Sequence, residues 1–158
     1  METATINEIR KSLNSLTYKE LVEICLRMTR YKKDNKELLT YMLYYAGDEK
    51  EYIKSIKEEM DRLIAELNRG SSYYMMKGIR KTLRMTNKFV RYSGNKQTEV
   101  ELLIYFCAKL KKAGIRIHAS IALSNLYLRQ IQKITKAISF LHEDLQYDYT
   151  EEMKTLGL

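Results

Sequence analysis

The apolar residues of this chain recur at helical spacing over most of its length. Leu21, Ile24, Cys25 and Met28 fall at i, i+3, i+4 and i+7, which places them on one face of a helix. Comparable spacing continues in segments that begin near residues 38, 53, 76, 102 and 127. No segment of useful length alternates apolar and polar residues as a strand would. The pattern therefore predicts an all-α fold of about six main helices, with short helical pieces at both ends.

Helix starts and stops are marked along the same segments. A Thr or Asp followed three residues later by Glu is typical of a helix N-terminus, because each side chain can satisfy a free backbone amide. The pattern occurs at Thr17–Glu20, Asp34–Glu37, Asp48–Glu51 and Thr98–Glu101. Four glycines predict left-handed helix ends, at Gly47, Gly70, Gly94 and Gly114. The short loops between these marks favour a compact helical bundle or an irregular helical array.

Length and composition indicate one globular domain. The chain has 158 residues, of which 45% are hydrophobic, and it contains no proline. A chain of this length can bury a core without disulfides or metals. We therefore predict a single domain over residues 1–158, with the short N-terminal helix and the acidic C-terminal tail peripheral to it.

The sequence predicts a cytoplasmic protein. It holds no run of 18 apolar residues, so we expect no membrane span, and its start lacks the pattern of a secretory signal. Cys25 and Cys107 each lie on a predicted apolar helix face. We interpret both as reduced core thiols rather than as a disulfide.

The positive charge of the chain is confined to one part of it. Residues 67–142 contain 15 basic and 2 acidic residues, whereas residues 1–66 have a net charge of −1 and residues 143–158 a net charge of −4. The segment from Lys77 to Lys96 holds seven basic residues and no acid. Such asymmetry is a pointer to an anionic partner.

On a helix, most of these cations share one face. Six of them step by three or four residues opposite Ile79, Leu83 and Val90: Lys77, Arg80, Lys81, Arg84, Lys88 and Arg91. Three more follow the same rule on a later helix: Arg129, Lys133 and Lys136. Like charges this close on a helix repel by roughly 0.2–0.5 kcal/mol per pair. Solvent and salt, the acidic C-terminal segment folding back, or a bound polyanion could each offset that repulsion.

Three tyrosines flank the cations of the first stripe. Tyr73 and Tyr74 begin the basic helix and Tyr92 lies near its end, and a tyrosine ring can stack on a nucleic-acid base. The alternative is that a chain with no Trp and three Phe uses tyrosine as its aromatic at the edge of the core.

No catalytic motif is recognisable, so we expect a protein that is not an enzyme. The chain has two histidines, His118 and His142, in no spacing that would bind zinc on a helix. It has neither a P-loop nor a glycine-rich dinucleotide loop. We expect no catalytic residue, no metal and no cofactor.

Two segments carry a resemblance to other proteins: YKKDNKELLTYMLYYAGDEKEYI and SGNKQTEVELLIYFC. They resemble uncharacterised small all-α bacterial proteins. The resemblance names no activity, so no functional residue is implied by it.

The sequence thus predicts a non-catalytic interaction module whose basic C-terminal half binds a polyanion, with nucleic acid as the partner and little sequence specificity. The alternative is a protein–protein interaction or scaffold module, or a homodimer, in which the basic face meets an acidic protein surface.

Overall fold

The computed structural model describes residues 2–158 and confirms the all-α fold. The described residues form eight α-helices: α1 Ile6–Asn14, α2 Tyr18–Tyr31, α3 Lys33–Thr40, α4 Glu49–Ala65, α5 Ser72–Ser93, α6 Lys96–Lys112, α7 Ile121–Ile138 and α8 Glu143–Leu156. A π-helical turn spans Tyr41–Tyr45, and a 3₁₀ turn spans Ile117–Ala119. None of the helices in residues 2–158 combines the length and the apolar character needed to cross a membrane.

The chain divides into two compact units, residues 1–44 and residues 45–158. The prediction of one domain over the whole chain stays a prediction. In the first unit, α2 packs against α3, and none of the residues in α1, α2 and α3 is buried. Cys25 is exposed in α2, so its interpretation as a core thiol is wrong.

The second unit is built around α6, which packs against α4, α5, α7 and α8. Its side chains are buried on most of its circumference, and six of them are completely buried: Val100, Leu102, Leu103, Phe106, Cys107 and Leu110. A helix that is apolar nearly all round belongs inside a protein. Cys107 lies in this core, and burial raises the pKa of its thiol to about 12, so it is an unreactive thiol.

Two of the four predicted helix starts are confirmed. Thr17 caps α2 in a reciprocal box with Glu20, and the Asp48 side chain accepts a hydrogen bond from the Glu51 amide at the start of α4. The start at Asp34 is wrong, because the residue that precedes α3 is Lys32, two positions earlier, and the helix begins at Lys33. The start at Thr98 is also wrong, because α6 begins at Lys96 and the Thr98 hydroxyl donates to Glu49 instead.

The apolar pattern of residues 127–145 spans two helices rather than one. α7 ends at Ile138, and α8 begins after His142, whose Nδ1 accepts a hydrogen bond from the Asp144 amide. No glycine or proline marks this break, so the spacing alone predicts a continuous helix. The acidic C-terminal segment is α8, and it buries Tyr149 and Met153 while packing against α6 and α7.

We expect Tyr127→Phe to raise the free energy of unfolding by about 1 kcal/mol, because a buried polar group without a partner destabilises the folded state. The hydroxyl of Tyr127 is buried and has no hydrogen-bond partner among the described residues. Burial, and then the nearby Cys107, raise its pKa. Urea unfolding followed by circular dichroism measures the change.

Tyr105→Phe is the matched control for this prediction. The Tyr105 hydroxyl donates to Asp61 Oδ1 at 2.8 Å, so its removal should lower stability by about 1 kcal/mol. If Tyr127→Phe destabilises the protein as much as Tyr105→Phe does, the hydroxyl of Tyr127 has a partner in solution.

Candidate functional site

The six predicted cations of α5 lie on its outer face. Five of them are exposed and Lys88 is half-buried. The opposite face of α5 buries Ile79, Thr82, Leu83, Thr86 and Val90. Helical periodicity therefore placed this stripe correctly, because the apolar residues that face α4 and α6 leave one side of α5 for charge.

Most of the α5 cations are not neutralised within the protein. The ion pairs found among residues 2–158 include none formed by Lys77, Arg80, Arg84 or Arg91. Lys81 is close enough to Glu59 to interact with its carboxylate. A hydrogen bond from Arg62 is the main interaction that lowers the pKa of Glu59, and the charge of Lys81 lowers this pKa further. Lys77, Arg80, Arg84 and Arg91 thus present positive charge to solvent without an ion pair among the described residues.

Part of the stripe lines a cleft of about 680 Å³, which we name the basic cleft. The α5 side contributes Arg84, Asn87, Lys88, Val90 and Arg91. The other residues come from the α5–α6 junction, from α6 and from α7: Gly94, Asn95, Lys96, Glu99 and Lys133. Five cations and a single carboxylate therefore surround one concave space.

The turn between α5 and α6 shapes one end of the cleft. Gly94 ends α5 with a φ of 66°, a left-handed conformation that glycine adopts without a steric penalty. Asn95 then caps α6, its Oδ1 accepting from the Gln97 amide at 2.8 Å. This turn brings Lys96 to the first position of α6, where it lines the cleft.

Glu99 holds two of the five cations. Its Oε2 accepts from Lys96 Nζ at 2.7 Å, and its Oε1 lies 3.1 Å from Lys133 Nζ. Lys133 Nζ also donates to Asn87 Oδ1 at 2.7 Å, which links α5, α6 and α7. Only 10% of the Glu99 side chain is exposed. Burial alone raises the pKa of Glu99, but the hydrogen bonds from both lysines outweigh it, so the pKa lies below its ordinary value.

The predicted cations of α7 are placed differently from one another. Lys133 lies in the basic cleft and is paired with Glu99. Arg129 lines a second cleft of about 350 Å³ together with Arg80 and Leu83 of α5. Lys136 is exposed in the last turn of α7 and lines neither cleft. The α5 and α7 cations therefore meet at two concave sites.

The remaining cations of α5 border a third concavity, of about 330 Å³, near the N-terminus of that helix. Lys77 and Lys81 line it together with Tyr74 and Glu66. Three concave sites therefore lie along the stripe between Lys77 and Arg91. Each site is lined by at least two cations, which come from α5 or from its neighbours.

The three predicted stacking tyrosines differ in exposure. Tyr73 and Tyr74 are both exposed and pack edge-to-face on each other, with ring centroids 5.3 Å apart. Tyr92 is half-buried and packs edge-to-face on Phe89 at 5.8 Å. Stacking on a base requires a free ring face, so Tyr73 and Tyr74 are better placed for it than Tyr92.

The acidic side chains of α8 do not reach the stripe. No ion pair among the described residues joins α8 to a cation of α5, and Glu151 pairs with Lys154 of its own helix. The C-terminus instead holds Lys111, whose Nζ donates to the carbonyl oxygens of Leu156 and Gly157 at 3.0 and 2.8 Å.

The histidines lie apart from the basic cleft. His118 is exposed in the 3₁₀ turn, and His142 is exposed as the cap of α8. Within residues 2–158 no group of three or more His, Cys, Asp and Glu side chains is arranged to hold a metal ion.

Sequence reasoning missed four polar or charged residues of the cleft: Asn87, Asn95, Lys96 and Glu99. Lys96 belongs to the basic segment but was placed before the predicted helix start at Thr98. The pair Gly94–Asn95, a helix end followed by a capping residue, was the signal that could have placed it.

Comparisons with known proteins give no relative. No protein-family model matches this chain, and neither a curated protein nor a solved structure matches it. The resemblance to small all-α bacterial proteins stays a prediction.

Proposed function

We propose that this protein is a non-catalytic interaction module that binds nucleic acid through the phosphate backbone. The observation that carries the proposal is the α5 stripe, in which Lys77, Arg80, Arg84 and Arg91 form no ion pair with any residue of 2–158 and lie along concave sites. Cations that neutralise phosphates release condensed counterions, and this release drives binding. A row of exposed cations beside clefts suits such a polymer.

We expect little sequence specificity. Bases are read by side chains that reach base edges, commonly from a helix lying in the major groove. The α5 stripe presents arginines and lysines at regular intervals, and the polar side chains of the cleft, Asn87 and Asn95, are engaged by Lys133 and by the α6 backbone. Phosphate contact is what this arrangement favours, with stacking on Tyr73 and Tyr74 as a sequence-tolerant addition.

We expect the wild-type chain to bind fluorescent single- and double-stranded oligonucleotides, with an affinity that falls by about 10²–10³ between about 50 and 200 mM salt if around five phosphates are contacted. Fluorescence anisotropy measures this. The variant Arg80→Glu/Arg84→Glu should bind at least about tenfold more weakly at the lower salt, with a shallower salt dependence.

The matched control is Arg30→Glu/Arg116→Glu, which changes the net charge by the same amount at two exposed arginines outside the stripe. It should retain most of the wild-type affinity. Equal loss in both variants would mean that net charge and not this face governs binding. No binding by the wild type at the lower salt would contradict the proposal.

A second candidate function is a protein interaction in which the basic face meets an acidic surface. The observation that favours it is α8, whose Glu143, Asp144, Asp148 and Glu152 are exposed and could meet the basic face of a second copy. A dimer of this kind would dissociate as salt is raised and would lose stability in the same Arg80→Glu/Arg84→Glu variant. Sedimentation without nucleic acid over a salt series tests it, because only a dimer held by the basic face should dissociate as salt is raised.

A further inference from the structure

The N-terminal unit, residues 1–44, has an apolar surface that its own helices leave uncovered. Twelve large apolar side chains between Ile6 and Tyr44 are exposed, although α1, α2 and α3 bury none of their residues. Single exposed apolar residues are ordinary, but a concentration of them marks an interaction site. Units of about 40 residues usually need a staple or oligomerisation to be stable.

Part of this surface is a groove of about 210 Å³ between α2 and α3. Its walls are mainly Cys25 and Met28 of α2 and Leu38, Leu39 and Met42 on the other side. Asn35 Nδ2 donates to the Met28 carbonyl oxygen at 2.9 Å, which fixes α3 against the end of α2. The groove is therefore formed before any occupant arrives.

Helix α1 carries an exposed apolar face. Ile6, Ile9 and Leu13 fall at i, i+3 and i+7, so they share one face, and Ile6 is 77% exposed. The reciprocal cap between Thr5 and Glu8 stabilises α1 at its start. An apolar helix face that inserts into an apolar groove is a common recognition mode.

The charges of this unit favour a protein occupant over a lipid surface. Residues 1–44 contain eight basic and six acidic residues, a net charge of +2. Helices that lie on membranes carry a polar face rich in Lys and Arg, and they present a convex apolar face rather than a groove. The nearly balanced charge also lets two copies of the unit approach each other without strong repulsion, unlike two copies of the basic segment.

One copy of the unit carries both the projecting α1 face and the groove. In a two-fold symmetric pair, α1 of each copy can lie in the groove of the other. Such a reciprocal arrangement is complete with two copies and adds no third. Five of the twelve exposed apolar side chains belong to the α1 face or to the groove: Ile6, Ile9, Met28, Leu38 and Met42. In a reciprocal exchange each copy buries both sets, and a specific interface of about 800 Å² per partner also covers the polar surface around them.

We propose that residues 6–44 form a homodimer interface in which α1 of each copy lies in the α2–α3 groove of the other. This inference does not depend on binding of nucleic acid. Its occupant is a second copy of this chain.

The native Cys25 supplies the test, because it lines the groove while Cys107 is buried. We would introduce Ile9→Cys in the full-length chain, oxidise it with a mild oxidant, and analyse it by non-reducing electrophoresis and intact mass. The expected result is a covalent dimer joined between residue 9 and Cys25. The matched control is Lys11→Cys, on the opposite face of α1, which should give at least about tenfold less dimer. Adding Cys25→Ser to the Ile9→Cys variant should abolish the residue 9 to Cys25 product.

A disulfide within one chain would mean that α1 covers the groove of its own copy, and it would overturn the proposal. Absence of any residue 9 to Cys25 disulfide would overturn it as well.

Sedimentation of variants without new cysteines gives an independent measurement. We expect a dimer that persists at high salt, and we expect Ile6→Glu to weaken it by at least about tenfold. The control is Ile121→Glu, the same substitution at an isoleucine that is 82% exposed in α7. A wild-type chain that is monomeric at every concentration would overturn the proposal.

Discussion

Replacement of Phe106 by alanine should lower the free energy of unfolding of residues 45–158 by about 3–5 kcal/mol. Phe106 is completely buried in α6, the helix around which α4, α5, α7 and α8 pack. The substitution removes the apolar contacts of a whole ring and leaves a cavity that neighbouring helices can only partly fill. Because a typical domain is stable by only about 5–15 kcal/mol, the variant should be close to unfolding at physiological temperature.

Phe140→Ala is the matched control for Phe106→Ala. Phe140 is exposed beyond the end of α7, and Lys96 Nζ lies 5.8 Å from its ring centroid. Its loss should change stability by no more than about 1 kcal/mol. Urea unfolding followed by circular dichroism compares the two variants, and hydrogen exchange at the α6 amides shows whether the effect is local. A Phe106→Ala effect as small as that of Phe140→Ala would mean that α6 is not the centre of the unit.

The central place of α6 could have been predicted from its sequence. Between Val100 and Leu110 the apolar residues occupy more than one stripe, which an outer helix does not need. The identity of its neighbours could not be predicted, because packing partners depend on contacts between segments distant in sequence. The α7–α8 break was missed for a related reason: residues 139–142 continue the apolar spacing, and only the backbone conformation ends the helix.

The outward stripe of α5 followed directly from periodicity, whereas the basic cleft did not. Lys133 lies 34 positions after Glu99, and no local pattern indicates that α7 brings the two together. The sequence shows Glu99 as one of two acids in the basic segment, residues 67–142, but it does not show that Glu99 is buried. Cys25 shows the opposite error: its spacing predicts a buried face, yet no helix of residues 6–40 has a buried residue.

We expect Glu99→Gln to bind nucleic acid more tightly than the wild type, by about tenfold at about 50 mM salt. In the wild type the carboxylate holds Lys96 and Lys133 and competes with any phosphate that enters the basic cleft. The amide keeps the shape of the side chain but removes its charge, so both lysines become available to the ligand. This prediction rests on the proposed function, and fluorescence anisotropy over a salt series measures it, with a steeper salt dependence expected in the variant.

The same substitution should destabilise the protein. Hydrogen bonds to a charged group contribute about 1.5–3 kcal/mol each when buried, and the exposure of Lys96 and Lys133 reduces this, so we expect a loss of about 1–2 kcal/mol at neutral pH. The pH dependence has a definite sign. Because the pKa of Glu99 is lowered on folding, its stabilisation is complete above its ordinary value of 4.5 and is lost as pH falls through the folded pKa. Wild type and variant should therefore differ most at neutral pH and converge in acid.

Glu101→Gln separates the effect of the cleft from that of losing an acid on α6. Glu101 lies two positions further along the helix and pairs with Lys57 of α4, outside the basic cleft. The substitution Glu101→Gln removes the same charge and a comparable ion pair. It should therefore lower stability without increasing the affinity for nucleic acid. If both variants gain affinity equally, net charge alone explains the effect. A different outcome is that the wild type binds and Glu99→Gln binds no more tightly. Lys96 and Lys133 would then lie outside the phosphate contacts, and binding would be confined to the cations of α5.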